Sequence, residues 1–391
     1  MTEKPGVEPF TIHVEDAVLR DLKARLERTR WPGAPEGAGW ESGTPLAYLK
    51  ELLDYWAHAY DWRQAEARLN RFDHFHARVG GERIHFVYEK GSGTQALPLV
   101  LTHGWPGSFF EFMGVLEPLA HPERFGGEVE DAFDVVIPSL PGYGFSSIPK
   151  RALGPRPTAA LWKELMTERL GYPKFGAQGG DWGAFVTSWL AADHGAHLLG
   201  IHLNRLGIDT GPEVASPPLT KEEKAWIAAV RASRTEVAAY SLQHTTRPQS
   251  LGYGLTDSPA GLAGWIVEKF HAWSDIGPGL ESVYTKDQLL TNLMIYWVTG
   301  TINSANWFYR AVHLGKERRL PKGKRITVPT GFAHFPVDLH AQPPRAWWER
   351  AYNLVHWTEM KKGGHFAALE QPEALVRDIR AFFRPLRERS G

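Results

Sequence analysis

Three short apolar runs, each closed by a glycine-rich turn, constrain this chain more than any other feature. "ALPLVLTHGWPGS" carries Leu97 to Thr102, "FDVVIPSLPGYGFS" carries Phe133 to Ile137, and "KFGAQGGDWG" is the third. Runs that are apolar throughout suit strands buried on both faces of a parallel sheet. Helix-like stretches, Phe109 to Leu119 and Thr158 to Leu170, lie between them. Strand and helix alternate, so the expected fold is α/β with a mostly parallel central sheet flanked by helices.

The rhythm breaks between residues 206 and about 312. That stretch is helix-rich and opens on the loop "GPEVASPPLT". "RITVPTGFA" then restores a buried strand, "LVHWTEMKKGGHF" reads as another strand and turn, and "PEALVRDIRAFFRPL" as a closing amphipathic helix. The expected organisation is a core in two parts, 91–205 and 313–391, interrupted by a helical lid over 206–312. Residues 1–90 form a leading extension. "VEDAVLRDLKARLERTRWPG" and "PLAYLKELLDYWAHAY" have helical spacing, and "HFHARVGGERIHFVYEKG" reads as a hairpin turning at Gly80-Gly81.

The third run ends on a Gly-x-Asp-x-Gly turn, Gly179 to Gly183, with Asp181 at its tip. Glycines flank a nucleophile turn because the backbone is strained there and the chain passes close to its neighbour. A serine would need a base to remove its proton before attack. A carboxylate is already ionised at pH 7 and attacks saturated carbon directly, leaving an alkyl ester. "LTHGWPGS" follows a buried strand and resembles the loop after the third strand of α/β-hydrolases, which contributes a backbone N–H to an oxyanion hole, with Trp182 next to Asp181 as the second donor. His365 of "MKKGGHF" occupies a late loop, in the order nucleophile, acid, base. Asp338 of "VPTGFAHFPVDLH" is the candidate acid, with Glu349 and Glu359 as alternatives on helix-like or strand-like stretches. Such a site opens an epoxide or displaces a halide. An epoxide oxygen needs a donor over the ring, and Tyr240, Tyr253, Tyr284, Tyr296 and Tyr309 are the tyrosines available between 206 and 310.

Taken together, "HGWPGS", "GGDWG", "LTDSPAGLAGWIVEKF", "YWVTGTINSANWFYR", "VPTGFAHFP" and "GGHFAALEQP" resemble the microsomal-type epoxide hydrolases of the α/β-hydrolase superfamily. "FTIHVEDAVLRDLKARLERTRWP" resembles the N-terminal meander that accompanies that family. The resemblance covers nearly the whole chain. It implies the α/β-hydrolase fold, Asp181 as nucleophile, His365 as base and Asp338 as acid. It also implies Tyr309 and Tyr240 as ring-opening donors, and Trp105 and Trp182 as oxyanion-hole residues. Trp105, Trp182, Trp307 and Phe366 are the candidate substrate-binding residues, and the 16 Trp of the chain suggest a bulky or aryl epoxide. A haloalkane dehalogenase using the same triad is the alternative enzyme, and a binding homologue without turnover is the alternative of another class.

Composition sets the remaining expectations. Lys plus Arg and Asp plus Glu are both 44, so a zero formal charge gives no reason to expect nucleic acid. Cysteine is absent, which removes thiol chemistry and disulfides. No secretory signal or membrane-length apolar run is visible, so a cytoplasmic protein without a membrane span is expected. The expected partners are a small-molecule epoxide and water, with no cofactor and no metal. A homodimer and a role in detoxification or secondary metabolism rest on the resemblance alone. His74, His76 and His85 could be counted as metal ligands, but without a carboxylate they are expected to be surface histidines.

Overall fold

The computed structural model describes residues 6–212 and 217–387; part of the loop "GPEVASPPLT" lies outside the described residues. One sheet organises the chain. Its nine strands are β1 (Val7–Phe10), β2 (Asp73–Val79), β3 (Glu82–Glu89), β4 (Leu97–Thr102), β5 (Phe133–Pro138), β6 (Phe175–Gly179), β7 (Leu198–Leu203), β8 (Ile326–His334) and β9 (Tyr352–Glu359). Their order across the sheet is β1-β2-β3-β5-β4-β6-β7-β8-β9. From β5 to β9 all neighbours are parallel, while β1, β2, β3 and β5 pair antiparallel.

The central parallel strands β4, β5 and β6 are the three runs picked out from the sequence, mostly apolar but carrying the buried Asp134 and Gln178, whereas the parallel edge strand β9 is half-exposed. Every residue of β5 and β6 is buried, as helices on both faces require. The chain switches direction around β4, so β5 and β6 flank it on opposite sides. Loops leaving the carboxyl ends of strands on either side of such a switch diverge and leave a crevice between them. The turns after β4 and β6, "HGWPGS" and "GGDWG", open into it.

Three strands from the first 90 residues extend the sheet, so the leading segment shares the main core. Its hairpin turns at Gly80 and Gly81, both with positive φ. His74, His76 and His85 are buried, contrary to the expected surface position. His74 Nδ1 meets His85 Nε2 at 2.9 Å, and His85 Nδ1 meets Ser139 Oγ at 2.9 Å. They tie the hairpin to the loop after β5, and no group of three or more metal-ligating side chains is found among the described residues.

Between β7 and β8 the chain leaves the sheet through the helices Lys221–Thr246, Pro248–Asp257, Pro259–Trp273, Lys286–Thr299 and Ile302–Gly315. The first begins with a capping box between Thr220 and Glu223. Glu223 also takes Arg350 from the helix before β9, at 2.6 and 2.8 Å. That buried pair fixes the start of the helix that carries Tyr240. No helix among the described residues is long and apolar enough to cross a membrane.

Candidate active site

Asp181 opens the helix Asp181–His194 directly after β6, with φ of 46°. Left-handed backbone at a non-glycine residue costs about 1 kcal/mol or more and persists only where its surroundings enforce it. Two glycines make the turn possible. A Cβ on Gly183 would stand 1.8 Å from the carbonyl oxygen of Thr102, so the helix could not approach β4. A Cβ on Gly104 would stand 2.3 Å from Asp181 Oδ1, in the space the carboxylate occupies.

The two oxygens of Asp181 have different surroundings. Oδ1 accepts the Trp105 backbone N–H at 2.9 Å. The Trp182 N–H belongs to the first turn of the same helix, where backbone donors have no intrahelical partner. Oδ2 faces Arg205 Nη1 at 3.0 Å and His365 Nε2 at 3.4 Å. On its other side, His365 Nδ1 donates to Asp338 Oδ1 at 2.6 Å. Asp338 also accepts the Leu339 N–H at 2.7 Å and the Gln342 side chain at 2.9 Å. His365 Nε2 is buried without a hydrogen-bond partner, so the ring is held by one nitrogen and presents the other.

Charge states follow from these contacts. Burial opposes ionisation of Asp181, yet His365, Arg205 and the Trp105 N–H hold its pKa below the ordinary carboxylate value. Asp338 is likewise lowered, against burial, by Arg205 and His365. Burial alone would lower His365. The Asp338 charge, with the contact and charge of Asp181, outweighs it and pushes the imidazole up to about 9.

Tyr240 and Tyr309 are both buried on the helical segment and sit above this group. Their rings meet edge-on at 5.9 Å. Tyr240 stacks on Trp105 at 5.1 Å, and Tyr309 meets the Trp182 ring at 4.7 Å. Burial raises both phenols, so both keep their protons at neutral pH. The Tyr309 hydroxyl is buried, interacts with Tyr240 and falls short of a hydrogen bond. Asp181, Trp182, Tyr240 and Tyr309 line one cavity of about 90 Å³. Larger crevices of about 380 and 520 Å³ hold none of these residues.

The structure therefore brings together Asp181, Asp338, His365, Tyr240, Tyr309, Trp105 and Trp182. It does not bring Trp307 to them: its indole donates to Gln249 at 3.1 Å on the outer side of the helical segment. Phe366 is buried behind His365, stacked on Phe270 at 4.2 Å, and does not line the cavity. The other carboxylates are engaged elsewhere, Glu349 with Arg345 and Glu359 with His334 and Trp357. Tyr253 is exposed, Tyr284 bonds Ser274, and Tyr296 donates to the Gly107 carbonyl.

Two members of the group are not apparent from sequence motifs. Glu111, on the turn Phe109–Phe112, feels both Asp181 and His365, and burial pushes its carboxyl up to about 8. It is protonated at pH 7, and a lone acid inside the apolar "FFEF" was its only signal. Arg205 follows β7 at the carboxyl end of the strand, where ligand-facing residues of such sheets gather.

Residues 7–112 match the family described as "Epoxide hydrolase N terminus", and residues 98–226 match "alpha/beta hydrolase fold". The chain is 43% identical to a putative epoxide hydrolase of Stigmatella aurantiaca, over 98% of this chain and 86% of that one. It is 36% identical to epoxide hydrolase 1 of Oryctolagus cuniculus, over 97% of this chain and 89% of that one. Among solved structures, juvenile hormone epoxide hydrolase from Bombyx mori superposes with a TM-score of 0.86 at 30% identity, covering 100% of this chain and 96% of that one. The epoxide hydrolase of Aspergillus niger gives 0.83 at 34% identity, covering 97% and 96%. With this fold and full-length similarity, the chain belongs to the microsomal-type epoxide hydrolases of the α/β-hydrolase superfamily.

Proposed function

We propose that the chain converts an epoxide to a vicinal diol through an ester on Asp181. Asp181 Oδ2, facing the cavity, attacks a ring carbon, and the carbon–oxygen bond of the ring breaks. Tyr240 and Tyr309 donate to the departing oxygen, which stays on the product as a hydroxyl. His365 Nε2 then takes a proton from water, and the hydroxide adds to the Asp181 carboxyl carbon. The oxyanion forms at Oδ1, where the Trp105 and Trp182 N–H groups stabilise it. Collapse expels the diol oxygen, which takes the proton back from His365, and the second water proton, left on the Asp181 carboxyl, returns to the phenolate so that carboxylate and phenol are both restored. Asp338 holds the imidazole orientation throughout. The helices between β7 and β8 act as the cap that shields these steps from bulk water.

The observation that carries this reading is one geometry. A carboxylate with one oxygen on a backbone N–H stands 3.4 Å from an imidazole fixed by a second carboxylate, beneath two protonated tyrosines. The faces of Trp182, Tyr240 and Tyr309 suit an apolar carbon skeleton. A bulky or aryl epoxide needs more room than about 90 Å³, because drug-sized ligands occupy pockets from roughly 300 Å³ upward. The helical segment would have to move to admit one.

Tyr309→Phe removes a donor from the ring oxygen. Ester formation on a simple terminal epoxide slows by on the order of 10²-fold in stopped flow. Ester hydrolysis changes far less, because that step does not use the phenol. An equal loss in both steps would assign Tyr309 a packing role.

Halide displacement has one observation in its favour. The indole N–H groups of Trp105 and Trp182 are buried without partners, as a halide cradle would require. Phenols over the nucleophile favour an oxygen leaving group. Halide release from haloalkanes with no diol from any epoxide would reverse the assignment.

A further inference from the structure

The cavity over Asp181 is less apolar than its tyrosines and tryptophans suggest. Arg205, Arg318 and His340 form part of its wall. Arg205 is engaged by Asp181, but Arg318 has no ion pair and no hydrogen bond among the described residues. The residue is exposed overall, but its guanidinium lies inward, 5.4 Å from the Trp182 ring centre, where burial lowers its pKa. His340 Nδ1 is buried without a partner. A third guanidinium, Arg234 of the helix Lys221–Thr246, is close enough that burial together with Arg205, Arg318 and Arg234 depresses His340 to about 4, against the pull of Asp338.

Charge at this site is therefore unbalanced. Asp181 and Asp338 are ionised, Arg205 and His365 offset them, and Glu111 is protonated. Arg318 feels the Asp181 charge but is left on the cavity wall with no hydrogen bond or ion pair among the described residues. A guanidinium is charged at any physiological pH, and its flat donor array fits a carboxylate. An uncharged epoxide would leave that donor set to water alone. An anionic group on the substrate would pair with it and draw Arg205 from Oδ2, the oxygen assigned to attack.

We propose that the preferred substrates are small epoxides bearing a carboxylate beside the oxirane ring, with Arg318 and Arg205 holding the carboxylate while Asp181 attacks the ring. The proposal rests on the epoxide-hydrolase reading of the same site and adds to it the charge of the substrate. The reaction stays the addition of one water across one ring carbon–oxygen bond, with the carboxylate unchanged.

The test compares kcat/KM for oxirane-2-carboxylate with that for oxirane-2-carboxamide, which has the same skeleton without the charge. The full chain should prefer the acid by at least about tenfold, a typical return for one charge-assisted contact. Arg318→Gln removes no hydrogen bond or ion pair among the described residues, only the contact with the Trp182 ring, and thermal unfolding of the same preparation checks that the variant is folded. It should lower the acid's kcat/KM at least about tenfold more than the amide's, mainly through KM, and Arg318→Lys should recover part of the preference. Equal or better use of the amide by the unaltered chain, or an equal loss on both substrates in Arg318→Gln, overturns the substrate charge and leaves epoxide hydrolysis standing. No diol from either compound, nor from uncharged alkyl and aryl epoxides, overturns both.

Discussion

Asp181→Ala lowers diol formation by on the order of 10⁴-fold or more, and no covalent adduct appears on the protein at any time. The size follows from the role. Removing a nucleophile leaves only binding and oxyanion stabilisation, and that residue of activity is small. Alanine also removes the acceptor of the Trp105 N–H and the partner of Arg205. Arg205 still has Asp338 nearby, so its charge is not stranded. Folding is checked by thermal unfolding of the same preparation. A folded variant that keeps more than about a tenth of the activity would require a different nucleophile.

His365→Gln separates the two chemical steps. Ester formation continues, because it needs only the Asp181 carboxylate and the tyrosines. Hydrolysis then falls by on the order of 10⁴-fold, the upper range for loss of a general base. Intact mass spectrometry should show one equivalent of epoxide added to nearly every molecule within minutes. Free protein with no adduct, alongside lost turnover, would place His365 in the first step.

The same residue predicts a pH effect. In the free protein the carboxylates of Asp181 and Asp338 hold the imidazole proton, against burial, up to about 9. In the proposed mechanism alkylation turns Asp181 into a neutral ester and removes one of those charges. The pKa of His365 must then fall, and the ring becomes a neutral base at the step that needs one. Alkylation itself thus activates the base. His365 in the free protein should titrate near 9 by NMR. The rate of ester hydrolysis should rise with pH about a midpoint lower by at least about one unit. Coincident midpoints would mean that the Asp181 charge does not control the ring.

Much of this arrangement was legible in the sequence, for identifiable reasons. Strands buried on both faces must be mostly apolar, so β4, β5 and β6 announce themselves despite the buried Asp134 and Gln178. The glycines at 104 and 183 are required by close approach and therefore mark the turns that meet at Asp181. Other features depend on where segments meet in space. β1 is four residues at the sheet edge, too short to carry a pattern. The burial of His74, His76 and His85 comes from packing against Phe10, Phe109 and Phe145, which no local spacing shows. Trp307 shares a helix with Tyr309, but two residues apart on a helix point in different directions, so only one faces the cavity. Arg205 and Arg318 come from loops far apart in sequence, and only the fold sets them on one wall.

The central claim is that Asp181, and not water, makes the first bond to the substrate. A single turnover in heavy-oxygen water, with protein in excess over epoxide, tests it directly. The account predicts an unlabelled first diol and label in the Asp181 carboxyl group, with labelled diol only on later turnovers. Label in the first diol, with none in Asp181, would contradict it.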